Sequence, residues 1–147
     1  CLRQNRFIEG KKRNNQINQN KSVKFKSEQV EYINRSISYI KNIVDKPTFF
    51  LWSNDISNIE ENLFNEKVNK VVHDNVFQNN IDKRLLDLFL ISQCNHHIVI
   101  PSSFNWWGAW LCDKKDKIIT RPSDTFFTEF KLNNKDFWPE DWIIINE

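Results

Sequence analysis

Methionine is absent from all 147 residues, and glycine occurs only at Gly10 and Gly108, with Ala109 as the single alanine. A chain without methionine does not open on a translation start, so the expectation is the C-terminal part of a longer protein. Neither GxGxxG nor GxxxxGK[ST] occurs, which excludes the glycine-rich dinucleotide and P-loop solutions to phosphate binding. Apolar runs are short as well, reaching four or five residues at most. That is too little for a membrane-spanning helix or the apolar stretch of a signal peptide. The three cysteines stand at 1, 94 and 112 with no CxxC spacing. This pattern suits free thiols in a reducing compartment, a surface cysteine pair being the alternative.

What is present argues for one folded domain, residues 1–147. Twelve Phe and six Trp within 39% hydrophobic content supply a core and exclude disorder. The chain also holds 20 Asn with abundant Lys and Ile, which reads as an A/T-rich coding bias. Charge is uneven. Residues 1–47 carry a net +7 and residues 48–147 a net −5, so the basic first third calls for an anionic partner. Residues 8–26, around the run Gly10–Lys26, read as a polar solvated loop, with a phosphate- or acceptor-facing loop as the alternative.

Periodicity orders the rest. Val30, Ile33, Ile37, Ile40 and Val44 stand at helical spacing and predict a helix over 27–44 that starts at Ser27 and stops before Pro47. Thr48–Ser53 reads as a strand, and Ser57…Glu60 as a capping box opening a short helix. Strands follow over 70–73, 97–100 and 117–120, with helices over 82–93 and 102–111. Trp138, Pro139, Trp142 and Ile143–Ile145 are expected to pack back on the domain. Trp106, Trp107 and Trp110 read as core, with sugar stacking as the alternative. Cys94, His96 and His97 are too irregularly placed for a zinc site. Alternation of apolar strands with helices predicts an α/β fold, a parallel sheet covered on both faces. Ligands of such sheets sit beyond the carboxyl ends of the strands. That rule selects Arg3, Ser53/Asn54/Asp55, His73/Asp74, Ser102/Ser103 and Arg121. A helix start at Ser102–Phe104 adds the N–H groups that favour a phosphate.

The segment Ser102-Ser103-Phe104-Asn105-Trp106-Trp107-Gly108-Ala109-Trp110-Leu111 resembles the SxFSWWGAWL block of family 11 glycosyltransferases, the bacterial α-1,2-fucosyltransferases. Three further segments match in order. Phe49–Ile56 is similar to the strand-FSDDI segment, Asp87–His96 to the DLYLMSxCxH helix, and Pro139–Trp142 to the closing PxxW. Residues 48–147 carry this likeness. Cys1–Phe7 falls where the family has HxRRGDY and keeps only the first arginine, as Arg3. Cys1, Gln4, Asn5 and Arg6 replace the His, the second Arg, the Gly and the Asp.

The resemblance implies a two-domain, GT-B-like enzyme whose C-terminal, Rossmann-like half binds GDP-fucose. Arg3 would contact the β-phosphate, Ser102, Ser103 and the amide of Phe104 the phosphate oxygens, and Asp87 the guanine; Asp55 would line the donor site. It implies an inverting transfer of fucose to a galactoside-type or lipid-linked glycan acceptor, with no metal and no other cofactor. Glu9 is the candidate base and Asp55 and Asp74 its rivals. The expected location is the cytoplasm, with peripheral association at the inner membrane face, and the chain by itself is expected to catalyse nothing. A degenerate, non-catalytic module that binds a nucleotide-sugar or a partner is the alternative. Nucleic-acid binding through residues 1–47 is the third reading, disfavoured by the acidic remainder.

Overall fold

The computed structural model describes residues 1–9, 15–72, 82–128 and 136–146. Helix α1 covers Gln16–Lys41, capped by Asn15, whose side chain accepts from the N–H of Asn18 at 2.9 Å. The polar stretch expected as a loop is therefore helical from residue 16, and the helix expected over 27–44 starts earlier and ends at 41. The reason lies on its buried face. Ser22, Phe25, Gln29, Tyr32, Ile33, Ser36, Ile37 and Ile40 form one continuous stripe. Its first turns, before residue 27, put only Ser22 and Phe25 on that stripe, too little for apolar spacing to reveal them.

Strand β1 is Phe49–Leu51 and β2 is Val68–Lys70. Between them the expected capping box does not form. Ile56–Asn58 makes one 3-10 turn instead, with Ser57 inside it. The strand expected over 70–73 is shifted upstream, and residues 73–81 lie outside the described residues. Helix α2, Lys83–Gln93, is capped by Asp82, whose carboxylate accepts from the Arg84 N–H at 2.9 Å. Strand β3 (His97–Ile98), helix α3 (Ser103–Trp110), β4 (Ile119–Pro122) and β5 (Ile143–Ile145) complete the order. The tail thus adds a strand.

Every described strand pairing is parallel: β1 with β2, β3 with β4, β4 with β5, and an isolated bridge from Leu2 to Ser53. The fold is α/β with its parallel strands in two small sheets, compatible with a Rossmann-like arrangement. Both faces of the β3–β4–β5 sheet are covered. Ile98 and Ile100 join Tyr32, Ile33 and Ile37 of α1 in one core cluster, while Val99 and Ile119 join Ala109 of α3 and Trp142 in the other. Tyr32 reaches across to Thr120, with their oxygens 3.2 Å apart, and its burial pushes the phenol pKa upward.

The tryptophan block divides. Trp106 packs on Trp142 and Trp138 and donates its indole N–H to the Phe137 carbonyl at 2.8 Å. Trp107 and Trp110 stay about half exposed, so the reading of all three as core holds for Trp106 alone. A two-turn helix buries only part of its surface: Asn105 and Ala109 turn toward β3 and its continuation, Gly108 turns toward α2, and Trp107 and Trp110 are left outside.

Gly108 sets the distance between α2 and α3. A Cβ placed there would lie 2.4 Å from Cγ2 and 3.0 Å from Cβ of Ile91, inside any tolerated contact. Gly108→Ala is expected to destabilise the fold by about 1–3 kcal/mol in urea unfolding, despite the better helix propensity of alanine. Adding Ile91→Ala to that variant should cost less than it does in the wild-type background. An unchanged midpoint for Gly108→Ala would contradict the close approach.

His97 is buried and its Nε2 has no hydrogen-bond partner among the described residues. Burial, with a smaller contribution from the Lys117 charge, lowers its pKa from 6.5 to about 4. The folded state therefore holds a neutral imidazole where the unfolded chain takes up a proton. Stability should fall as pH drops from about 6.5 to about 4, by on the order of 3 kcal/mol. His97→Asn should remove that part of the pH dependence. Parallel slopes for both proteins in urea midpoints over this window would contradict it.

Candidate functional site

The site residues collect around the carboxyl ends of the Leu2 segment and β1. Leu2 donates its N–H to the Trp52 carbonyl at 2.8 Å, and the two residues after it are then held by side-chain amides. Gln29, wholly buried on α1, accepts from the Arg3 N–H through Oε1 at 2.8 Å and donates to the Arg3 carbonyl through Nε2 at 2.8 Å. Asn54 treats Gln4 in the same way, accepting from its N–H at 2.8 Å and donating to its carbonyl at 3.2 Å. Each amide copies what a neighbouring strand would offer.

A turn follows. Asn5 takes a left-handed φ of 56°, and its carbonyl accepts from the N–H groups of Ile8 and Glu9 at 3.1 and 2.9 Å. This brings Glu9 back onto Arg3, and the two side chains form an ion pair. Both are about 40% exposed, so the guanidinium is open to a ligand from solvent. The sequence-predicted arginine and base are thus brought together, with the carboxylate neutralising the arginine.

Gln4 is 6% exposed and donates to the Asp55 carbonyl at 2.6 Å. Where the resemblance would have a second arginine, this residue serves the backbone. Asp55 accepts from the Asn58 amide at 2.8 Å, and its N–H donates to Ser53 Oγ at 3.2 Å. Asp87, on α2, accepts from the Trp52 indole N–H at 3.0 Å, which links it to the same strand end. Asp74 and His73 lie outside the described residues.

Ser102, Ser103 and Phe104 form a second group at the carboxyl end of β3. The loop into α3 is tight: the Ser102 N–H donates to the Ile100 carbonyl at 2.7 Å, and the buried Asn105 accepts from the Ile100 N–H at 2.8 Å. Ser102 is the N-cap residue but makes no side-chain capping bond, and Ser103 and Phe104 are exposed. The first N–H groups of α3 thus meet no capping oxygen from Ser102, as an anion-binding helix start requires.

Arg121, at the end of β4, was legible as a strand-end arginine and lies over the Trp138 ring at 5.7 Å. Its Nε is buried without a partner among the described residues. What sequence reasoning missed is the positioning set, Gln29 and Asn105. Their signal was a polar residue inside an apolar stripe. Cys94, His96 and Cys112 all have protein partners: His96 Nδ1 accepts from the Ile118 N–H at 3.0 Å, and the thiols of Cys94 and Cys112 face the carbonyls of Leu90 and Cys94. All three cysteines are free.

A cavity of about 580 Å³ runs between β1 and β3, lined by Cys1, Phe50, Trp52, Leu90, Ile91 and Ile98 among others. None of Arg3, Glu9, Asp55, Asp87 or Ser102–Phe104 lines it. The residues selected by sequence border the strand ends instead.

Comparison with known proteins finds a match to the model of glycosyl transferase family 11 over residues 14–146. Among curated proteins, the chain is 31% identical over 97 residues to the O-antigen biosynthesis glycosyltransferase WbnK of Escherichia coli, covering 66% of this chain and 31% of that protein. It is 33% identical over 112 residues to an alpha-1,2-colitosyltransferase of Escherichia coli, covering 76% of this chain and 37% of that protein. The matched part spans about a third of the length of these relatives. No solved structure matches.

Proposed function

The chain belongs to glycosyl transferase family 11, and from that premise we propose that it forms the donor-binding, GT-B-like half of an inverting α-1,2-fucosyltransferase that uses GDP-fucose. The observation that carries this reading is Arg3, held by its backbone at a strand end and half exposed, with the uncapped start of α3 at the end of another parallel strand. A departing diphosphate needs cationic and N–H partners of this kind. Arg3 takes the β-phosphate, and Ser102, Ser103 and the Phe104 amide take its oxygens. Asp87 accepts from the guanine N–H groups, exchanging the Trp52 indole for the base.

The Arg3–Glu9 pair gives a reason for coupling binding to chemistry. Phosphate competes with Glu9 for the guanidinium, and a displaced Glu9 carboxylate becomes available as a base. The acceptor hydroxyl then attacks the anomeric carbon as the bond to GDP breaks, and its proton passes to that carboxylate. Asp55, bonded to Asn58, is the less available rival. The acceptor is a galactoside-type or lipid-linked glycan bound by another part of the enzyme, and the reaction needs no metal. The donor sugar is tested by offering more than one nucleotide-sugar, because one relative is named for colitose.

A second reading has its own observation. Gln4, where the resemblance would have an arginine, is buried and committed to the Asp55 carbonyl, so it adds no charge to the site. A member with one phosphate arginine would bind the nucleotide-sugar without transferring it.

Calorimetry with GDP and GDP-fucose tests the proposal. Arg3→Ala should weaken binding by about 10- to 100-fold, the effect of losing one charge-assisted contact. Glu9→Gln should leave GDP binding equal or tighter. Unchanged affinity in Arg3→Ala would remove Arg3 from the site. In a longer form of the enzyme, GDP binding without fucosylation of a galactose-terminated acceptor would favour the second reading.

A further inference from the structure

The cavity between β1 and β3 has the outline of a strand. Its two edges are backbone. Leu51 gives its carbonyl to the N–H of Val71 on the β2 side, and parallel alternation turns the backbone groups of Phe50 and the N–H of Trp52 the other way. Across the cavity, His97 and Val99 bond to β4 through the carbonyls of Ile118 and Thr120, so Ile98 turns its backbone toward β1. Further along, the Ile100 N–H is already closed by Asn105, which ends the open stretch. Ile33, Ile37 and Ile40 of α1 and Leu90 and Ile91 of α2 give it apolar faces, and Asp45, Lys46, Gln93 and Asn95 are among the polar residues that line the rest. The lining runs along β1 from Thr48 to Trp52, the length of a short strand.

Leu2 already sets register and direction. It bridges Ser53 in parallel, so residues before Cys1 continued in the same ladder stand beside Leu51, Phe50, Phe49 and Thr48 in turn. Those four positions match the length of the cavity. Cys1 itself lines the cavity. The matched relatives are also about three times as long as the region they share with this chain, so the family has chain to supply.

The geometry points to the cavity as a strand position, filled by the extended segment that leads into Cys1 in a longer form of the protein and joining β1–β2 and β3–β4–β5 into one parallel sheet. With helices on both faces, the segment must be apolar at every position rather than at alternate ones. It is a structural seat, separate from the nucleotide site.

Three versions of the chain test this: the 147 residues as they stand, the same with four Val/Ile residues before Cys1, and the same with a Gly-Ser extension of equal length. Hydrogen exchange is read at Phe50, Trp52 and Ile98, with thermal unfolding alongside. The Val/Ile extension should slow exchange at these amides at least about tenfold and raise the melting temperature by several degrees. The Gly-Ser extension and a Val/Ile extension carrying Lys at alternate positions should do neither. A chain that is unfolded bare and folds only with the Val/Ile extension also supports the assignment. Equal exchange in all versions overturns it. Protection that appears in the bare chain and rises with protein concentration overturns it too, by showing a second copy in the seat.

Discussion

The amide of Gln29 closed onto the backbone of Arg3 is the contact from which the rest of the site follows. A parallel strand that ends beneath a helix leaves N–H and C=O groups with no neighbour, and buried unpaired groups of this kind cost about 1–3 kcal/mol each. Gln29 answers with both halves of its amide, Asn54 repeats the arrangement one residue on, and Asn105 does half of it at Ile100. The chain direction at Arg3 is thereby set, the turn at Asn5 follows, and Glu9 is delivered to the guanidinium. Side-chain amides perform here what strands perform in a wider sheet.

This gives the asparagine content a physical side. Twenty asparagines read as a coding bias. Yet Asn15 caps α1, Asn34 accepts from the Asn65 N–H, and Asn54 and Asn105 hold the strand ends. Composition arguments are blind to this, because a buried asparagine and a solvated one look alike until the chain is folded.

Legibility followed burial chemistry. Helix α2 is readable from Leu85, Leu86, Phe89 and Leu90 at helical spacing, and the start of α3 from Ser102 before an apolar run. β1, β3 and β4 were readable as apolar runs, although the paired parts of β1 and β3 are shorter than those runs. α1 is legible only from residue 27, since the turns before it bury just Ser22 and Phe25 and show no apolar repeat. β5 was visible as three isoleucines but not as a strand, because its partner β4 is distant in sequence. At the site, Arg3 stands out through the family resemblance and Glu9 as the carboxylate beside it in sequence, and their ion pair needs the left-handed turn at Asn5. The immobilisation of Gln4 was not legible at all. It depends on Asn54 and Asp55, some fifty residues away.

Two regions thus divide the labour: a cavity between β1 and β3, proposed as a strand position, and a half-exposed rim at the strand ends suited to an anion. The central claim is that the nucleotide goes to the rim. An amide chemical-shift titration of the isotope-labelled chain with GDP reads this directly. Shifts are expected at Arg3, Gln4 and Ser103–Asn105, together with the side-chain resonances of Arg3. Shifts confined to Phe49–Trp52 and Cys94–Ile98, the cavity residues, would contradict that claim.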